Sequence, residues 1–200
     1  MSLPLPMPPA ERAGPGAGML DGIERIAGFS EDALAEILHI EHACYPQSWH
    51  YEDEKEHYTA MLRDPRTVNL FLRVGGERVG YLLGRPHSDL HAELVEHDPP
   101  LEDDPQSCYI ETAAILPTHA GRMGFTRLLR ALADHLVRFP ELGMSRISAH
   151  ARVTNRVCEL GKLAFGRFEL MQERALVSWH FGGGEPYRYL KWSLSRHPEP

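Results

Sequence analysis

The amino-acid sequence predicts an α/β (α+β) fold, in which a mixed, mostly antiparallel central sheet of about seven strands is flanked by helices. Two observations carry this prediction. Two β-rich runs, residues 68–74 and 79–84, are joined by a pair of glycines, which indicates an antiparallel hairpin. Further along, a strand over residues 109–116, a leucine-rich helix over 126–139 and a strand over 146–153 follow one another.

Residues 19–200 are predicted to form a single domain, preceded by a flexible tail. A chain of 200 residues suits one domain with a sizeable core, and its hydrophobic content of 42% is ordinary for a globular protein. Residues 1–18 are rich in Pro, Gly and Ala and cannot bury enough apolar surface to offset the entropy cost of ordering. We therefore expect order to begin near residue 19.

The remaining elements follow from apolar periodicity and from residues that begin or end helices. Ser30 is a favoured N-cap, and the two acidic residues after it suit the first turn of a helix. Pro46 and Pro65 mark helix ends. The predicted elements are a strand over 22–29, a helix from Ser30 to Pro46, a helix over 52–62, a short helix that ends near Gly166, a strand over 169–181, a glycine turn at 182–184 and a strand over 187–194.

Charge and cysteine usage exclude several classes of function. The net charge of -7 argues against a nucleic-acid partner, which favours a basic surface. Three widely spaced cysteines do not suggest a disulfide framework and fit a reducing, cytoplasmic location. No apolar run approaches about 18 residues, so no membrane partner is expected, and the basic and apolar start of a signal peptide is missing. A homodimer is compatible with the sequence.

The turn between the first central strand and the leucine-rich helix has the features of an anion-binding site. It holds Gly121 and Gly124 and leads directly into a helix N-terminus. Backbone N–H groups at such a turn form a nest, and the helix dipole favours negative charge beside it. The sequence therefore predicts a site that suits a pyrophosphate.

This order of elements resembles that of the GCN5-related N-acetyltransferases (the GNAT superfamily). The resemblance covers most of the chain, from about residue 21 to 194, and rests on the joint order of strand, two helices, three strands, helix, strand, helix and two strands. The early segment with Cys44, Tyr45, Pro46 and Trp49 also looks like the first helices of the ribosomal-protein alanine acetyltransferase branch.

The resemblance implies a binding site for acetyl-CoA as cosubstrate. In this family the two central strands splay apart, the pantetheine arm and the thioester lie in the gap, and a bulge frees backbone N–H groups that polarise the thioester carbonyl. An asparagine after the second strand commonly bonds the pantetheine arm, although an ordinary N-cap role is about equally expected here. The implied cofactor-binding residues are Ala114, Ile115 and Leu116 on the strand, Ala120, Gly121, Arg122, Met123, Gly124 and Phe125 in the turn, and Asn155.

The turn departs from the family's pyrophosphate motif, which has Arg or Gln, two residues, a Gly, one residue and then Gly or Ala. If Gly124 is the final glycine, Arg122 stands at the first glycine position and His119 replaces Arg or Gln. If the leucines of the helix set the register, Met123 and Phe125 stand at the glycine positions. The N–H groups and the helix dipole do not depend on these side chains, and arginines near the turn suit contacts to phosphate.

Two residues are predicted as the general base that takes a proton from the attacking amine. Glu111 lies on the first central strand, where some family members place a base, and burial there is expected to raise its pKa. His150 lies five residues before Asn155, where the ribosomal-protein branch carries a glutamate base, and histidine titrates near neutral pH. A solvated glutamate and a packed histidine are the alternative interpretations.

The family's usual general acid has no counterpart in the sequence. A tyrosine on the last helix often protonates the leaving thiolate, but residues 159–166 contain none, and Lys162 stands nearest. Tyr187 or Tyr189 of the final strand is an alternative donor. Two hypotheses remain: an N-acetyltransferase that moves acetyl from acetyl-CoA directly to a primary amine of a small molecule or peptide N-terminus, or a catalytically weak or inactive acyl-CoA-binding domain on the same fold.

The segment over residues 86–107 is predicted to be long, irregular and acidic. It carries many carboxylates and no Lys or Arg, so we expect it to fold over the acceptor entrance and attract a cationic amine, such as a polyamine, an aminoglycoside-like compound or a basic peptide N-terminus. A solvated surface loop is the alternative. His87, His91 and His97 of this segment match no standard metal-ligand spacing, so no metal is predicted.

Overall fold

Seven strands form one sheet at the centre of the computed structural model, which describes residues 22–121, 123–155, 157–176 and 186–196. The strands are β1 (Gly22–Arg25), β2 (Val68–Val74), β3 (Glu77–Pro86), β4 (Ser107–Ile115), β5 (Arg146–Arg152), β6 (Phe168–Leu176) and β7 (Tyr187–Arg196). Their order in the sheet is β1-β2-β3-β4-β5-β7-β6. The β4–β5 pair is parallel and the other pairs are antiparallel. The mixed, mostly antiparallel sheet predicted from the sequence is confirmed.

Helices cover both faces of this sheet. They are α1 (Glu31–Cys44), α2 (Glu54–Arg63), α3 (His91–His97), α4 (Gly124–Arg138) and α5 (Val157–Ala164). The apolar sides of α1 and α2 pack with Phe71, Tyr81 and Leu83 in one core. Those of α4 and α5 pack with the opposite face of the sheet in a second core. None of these helices is long and apolar enough to cross a membrane.

Local signals in the sequence place the first helix and the hairpin as predicted. The Ser30 Oγ accepts a hydrogen bond from the Ala33 N–H at 3.0 Å, so Ser30 is the N-cap of α1. Gly75 and Gly76 both have positive φ, at 60° and 86°. This conformation suits a two-residue turn whose twist matches that of the flanking strands, and β2 and β3 pair on either side of it.

The prediction that residues 86–107 are irregular is wrong, because α3 lies within this segment. Three leucines, Leu90, Leu94 and Leu101, are buried against Tyr109 and Tyr189 and form a small third core. Because the residues around these leucines are acidic, the sequence did not suggest that the leucines belong to a buried helical segment. The acidic helix is therefore anchored to the sheet by apolar contacts.

Other element boundaries differ by a few residues from those predicted, which is usual where helix ends fray and strands lose their partners. The first strand ends at Arg25 rather than near residue 29, since Gly28 has a φ of 150°. The predicted tail over 1–18 and the glycine turn at 182–184 lie outside the described residues. The predicted strand over 169–181 is described as far as Leu176.

Candidate functional site

A cleft opens where β4 and β5 separate. The two strands pair in parallel at Ser107, Cys108 and Tyr109, and no pairing follows although both strands continue. With the space at its open mouth included, the cleft has a volume of about 1320 Å³. The polar and aromatic side chains that line it are Glu41, Tyr45, Trp49, Tyr51, Glu93, Tyr109, Glu111, Thr112, Phe125, His150, Arg152, Phe165, Tyr187 and Trp192.

A β-bulge on β4 places Glu111 in this cleft. Leu83 pairs with Thr112 while the next residue, Gly84, pairs with Ile110, so Glu111 is the extra residue of β4. The strand splay and the bulge expected from the family resemblance are therefore both present in the fold.

The backbone of β4 beyond the bulge offers N–H groups to the gap. The Ala113 carbonyl accepts from the Tyr45 hydroxyl at 2.7 Å and the Ile115 carbonyl accepts from the Cys44 thiol at 3.4 Å, whereas the Leu116 N–H donates to the Val79 carbonyl of the neighbouring strand at 2.8 Å. In a strand the N–H and C=O of one residue point to the same side. Of the three predicted donors, the Ile115 N–H therefore points into the gap, whereas the N–H groups of Ala114 and Leu116 point toward β3. The Ala113 N–H also points into the gap.

Glu111 is held as a buried carboxylate by three neighbours. Its side chain is 4% exposed, with the His57 Nε2 at 2.7 Å and the Arg85 Nη1 at 3.4 Å, and the Tyr51 hydroxyl donates to it at 3.0 Å. Burial raises the pKa of Glu111, but the hydrogen bond from His57 and the charges of His57 and Arg85 outweigh burial, so the net pKa is lowered. The expected upward shift is therefore wrong, because the sequence did not show these partners.

His150 lies at the point where the strands separate, within a buried chain of hydrogen bonds. Its side chain is 1% exposed, its Nε2 lies 3.0 Å from the Asp98 Oδ2, and its Nδ1 lies 3.0 Å from the Tyr109 hydroxyl. Burial lowers the pKa of His150, and this effect exceeds the opposing influence of Asp98. A neutral ring that donates from Nε2 to the carboxylate leaves Nδ1 to accept from Tyr109.

Asp98 and Tyr109 were missed in the sequence. Asp98 is 1% exposed, and it also accepts from the Arg174 guanidinium. Burial raises the pKa of Asp98, but the bonds from His150 and Arg174 outweigh it and bring the pKa to about 2. Asp98 lies in the segment that was predicted to be a loop, and Tyr109 lies at the start of a predicted strand. The sequence therefore did not indicate that either residue contacts His150.

Glu41 is a second missed carboxyl in the cleft. It is 4% exposed on α1 and contacts the Tyr81 hydroxyl. Burial above all raises the pKa of Glu41 to about 7, which is the range of a general base at neutral pH. A signal was available, since Glu41 continues the apolar stripe of α1 through Ile37 and Ile40, and a carboxyl in that position must be buried.

Aromatic side chains from the segment between α1 and α2 form one wall of the cleft. The Arg152 guanidinium lies 3.3 Å from the centre of the Trp49 ring, and its Nε donates to the Tyr187 hydroxyl at 3.0 Å. Tyr187, one of the two proposed proton donors, therefore lines the cleft. Tyr189 is fully buried against His150, and Lys162 pairs with Glu173 at 2.9 Å outside the cleft.

The predicted anion-binding turn leads into α4 with the geometry of a nest. Gly121 has a φ of 80° and Met123, the N-cap of α4, has a φ of 57°. Among the described residues no side chain caps the helix, and no acidic residue stands in its first turn, so its first N–H groups suit a ligand. The buried Thr126 Oγ1 has no hydrogen-bond partner among the described residues.

The glycines of this turn serve different purposes. A Cβ on Gly124 would lie 2.6 Å from the Leu72 Cδ2 and 3.0 Å from the Ile115 Cδ1, so Gly124 lets α4 approach the sheet. Gly121 instead supplies the left-handed turn. Of the predicted turn residues, Phe125 lines the cleft, Ala120 and Met123 are exposed, and Arg122 lies outside the described residues, as does the side chain of Asn155.

Comparison with known proteins identifies a family whose members share this arrangement. The model of the acetyltransferase (GNAT) family matches residues 34–159, which contain the anion-binding turn and the residues of the separated strands. A search of curated proteins gives no match.

Solved structures of acetyltransferases have the same fold. The ribosomal-protein-S18-alanine N-acetyltransferase from Escherichia coli has 15% identity and a TM-score of 0.58, with 88% of this chain and 96% of that chain covered. An acetyltransferase from Salmonella typhimurium, solved with acetyl-CoA, has 17% identity and a TM-score of 0.59, with coverage of 89% and 96%. A spermidine N-acetyltransferase chimera from Vibrio cholerae and hSSAT has 17% identity and a TM-score of 0.60, with coverage of 86% and 95%.

Proposed function

Because the chain belongs to the GNAT family of acetyltransferases, we propose that it transfers the acetyl group of acetyl-CoA directly to a primary amine. The observation that carries this proposal is the cleft where β4 and β5 separate. This cleft brings together Glu111, His150 and the backbone N–H groups of β4 that point into the gap. A non-catalytic acyl-CoA-binding domain would not need buried, partnered proton acceptors at that place.

Acetyl-CoA is proposed to lie with its pyrophosphate over the turn of residues 120–125 and its arm along β4. The uncapped start of α4, the nest at Gly121 and Met123, and the unpartnered Thr126 Oγ1 support the first part. The N–H groups of Ala113 and Ile115, which point into the gap, support the second part. One of them would stabilise the oxyanion that develops on the thioester carbonyl.

Proton transfer is proposed to use the chain of Tyr109, His150 and Asp98, with Glu111 as the alternative acceptor. The amine nitrogen attacks the carbonyl carbon, a C–N bond forms and the C–S bond breaks. The amine proton passes to the Tyr109 oxygen as the Tyr109 proton passes to the Nδ1 of His150, and the ionised Asp98 stabilises the resulting imidazolium. The same path returns a proton to the thiolate, so no helix tyrosine is required.

The first experiment measures acetyl-CoA binding and thiol release. Saturating acetyl-CoA is expected to raise the melting temperature, since a ligand that binds the native state stabilises it. Release of free CoA thiol across a panel of primary amines then distinguishes an enzyme from a binding domain. A melting temperature that acetyl-CoA leaves unchanged would contradict the proposed cosubstrate, and a rise without thiol release for any amine would favour the binding domain.

The acceptor is proposed to be a cationic amine. Glu41, Glu93 and Glu111 line the cleft, and the spermidine N-acetyltransferase chimera, which is named for a polyamine, shares the fold. The acidic segment contributes less charge than expected. Asp98 is bound by Arg174, and Asp104 is bound by Arg146 at 2.9 Å and Lys191 at 3.2 Å. Glu93, exposed on α3 at the cleft, is the carboxylate of this segment best placed to attract a cation.

Replacing Glu93 by glutamine is expected to raise the KM for spermidine or another cationic acceptor several-fold at low salt, with kcat little changed. At high salt the difference should shrink, because screening removes the attraction between exposed charges. Glu96→Gln is the matched control, since Glu96 is exposed on the same helix and does not line the cleft. Equal KM values for both variants at low salt would contradict a role for α3 in acceptor binding.

A further inference from the structure

Two histidines and a glutamate converge on the segment that joins α1 to α2. His42 lies in the last turn of α1, His50 follows Trp49, and Glu54 begins α2. None of the three lines the cleft. The group is the one set of three possible ligands among the described residues whose ligand atoms all lie within 4.8 Å of one another.

The spacing of the three side chains is close to that of ligands on one metal ion. Bonds of about 2.0–2.1 Å that meet at the tetrahedral angle place ligand atoms about 3.4 Å apart. The His42 Nε2 lies 2.9 Å from both carboxylate oxygens of Glu54, and the His50 Nδ1 lies 4.0 Å from the Oε2. These distances lie on either side of the tetrahedral value, so the three side chains are close enough to share one ion once their rings and carboxylate turn toward it.

His50 is not held in this position by hydrogen bonds of its own. Its side chain is 14% exposed, its Nδ1 is too far from Glu54 for a hydrogen bond, and its buried Nε2 has no partner among the described residues. The His50 ring instead stacks on that of His42, with centres 4.6 Å apart and planes at 21°. The His50 nitrogen nearest to Glu54 is Nδ1, so a metal ion shared with Glu54 would be bound by Nδ1 and would fix the position of the ring.

We propose that His42, His50 and Glu54 bind a zinc ion. Two imidazoles and one carboxylate are a recognised ligand set for Zn²⁺, with a water molecule in the fourth position. The half-exposed His42 side chain gives the ion a path from solvent. This site stands apart from the acetyl-transfer cleft and does not depend on the proposed function.

Zinc at this site would link the two ends of the segment that forms the aromatic wall of the cleft. The ligands enclose the stretch from residue 42 to 54, and Tyr45, Trp49 and Tyr51 within it line the cleft. Within this stretch the Cys44 thiol and the Tyr45 and Tyr51 hydroxyls donate to β4, and the Trp49 ring packs on Arg152 of β5. A metal link between the end of α1 and the start of α2 would therefore limit its motion and shape the acceptor side of the site.

The test is calorimetric titration of the chelator-treated protein with zinc chloride. Wild type is expected to bind one equivalent with micromolar or tighter affinity. His42→Ala and Glu54→Gln should each weaken that binding tenfold or more, since even residues that only support a ligand commonly contribute that much. His39→Ala is the matched control, because His39 is exposed on α1 outside the cluster, and it should bind zinc as wild type does.

The melting temperature provides a second measurement of zinc binding, and it does not depend on acetyl transfer. Zinc should raise the melting temperature of wild type and of His39→Ala, and leave that of Glu54→Gln nearly unchanged. Melts without metal show that each variant is folded before titration. Zinc binding of equal affinity in wild type, His42→Ala and Glu54→Gln would overturn the site, as would a wild-type melting temperature that zinc does not change. In either case the cluster is an ordinary histidine–glutamate ion pair.

Discussion

Replacing His150 by glutamine is expected to lower turnover about 10²-fold or more, with acetyl-CoA affinity nearly unchanged. Glutamine fills similar space beside Asp98 and Tyr109 but cannot carry the proton that Nδ1 receives from the Tyr109 hydroxyl. Steady-state rates of thiol release and calorimetry with acetyl-CoA measure the two quantities. His39→Gln is the control, since His39 lies on the exposed side of α1.

The Tyr109→Phe variant provides a second test, because a proton relay stops when either of its members is replaced. We expect Tyr109→Phe to be about as slow as His150→Gln, and the double variant to be hardly slower than either single variant. Losses that multiply in the double variant would contradict a relay. If Glu111 is the base, the loss of about 10²-fold should instead accompany Glu111→Gln, with His150→Gln near wild type.

The pH dependence of the same rates separates Glu41 from the other two acceptors. The pKa of Glu41 is raised to about 7 by burial, while those of Glu111 and His150 are lowered. A rate that rises through pH 7 in wild type and becomes flat in Glu41→Gln would make Glu41 the base. A rise through pH 7 that persists in Glu41→Gln would instead reflect deprotonation of the acceptor amine, because the pKa values of His150 and Glu111 are lowered.

Replacing Asp98 by alanine is expected to destabilise the protein by about 3 kcal/mol, in the lower part of the range for breaking a buried ion pair. The change leaves the buried His150 Nε2 and the Arg174 guanidinium without their shared carboxylate, although Arg174, 24% exposed, regains some solvent. Urea unfolding at neutral pH measures the difference. Glu102→Gln, at an exposed position of the same segment, is the control and should change stability by less than about 0.5 kcal/mol.

The pH dependence of the Asp98 effect has a definite sign. The pKa of Asp98 is lowered from 3.8 to about 2 in the folded state, so its contribution is complete above the ordinary value and is lost as the pH falls toward 2. The stability difference between wild type and Asp98→Ala should therefore shrink in acid. A difference that stays constant down to pH 2 would show that Asp98 acts through packing rather than through its charge.

Much of the fold was predictable because its signals are local. The glycine pair predicts the β2–β3 hairpin, Ser30 predicts the start of α1, and the apolar periods predict the central strand–helix–strand block. The family resemblance, which rests on the order of these elements, predicted an anion-binding role for the turn before α4 and placed Glu111 and His150 in one region. Both residues do line one cleft.

The partners of those residues were not predictable from local signals. Glu111 was expected to have a raised pKa, and His57 and Arg85, which are distant in the sequence, lower it instead. Asp98, which follows α3, bonds His150, and Arg174 of β6, far along the chain, bonds Asp98. Each such pairing depends on which strands are neighbours and on the register between them, and a single sequence shows neither directly.

The sequence by itself determined most of the order of elements, the position of the glycine turn before α4 and two candidate proton acceptors, because propensity, turn chemistry and apolar period act over a few residues. The tertiary structure alone decided where β4 and β5 separate, which residue forms the bulge, and which carboxyl groups are buried with partners or without them. Burial and long-range pairing set the pKa of a group and its access to a substrate. For this reason the chemistry of Glu41, Glu111 and His150 differs from residue to residue, although their side chains face the same cleft.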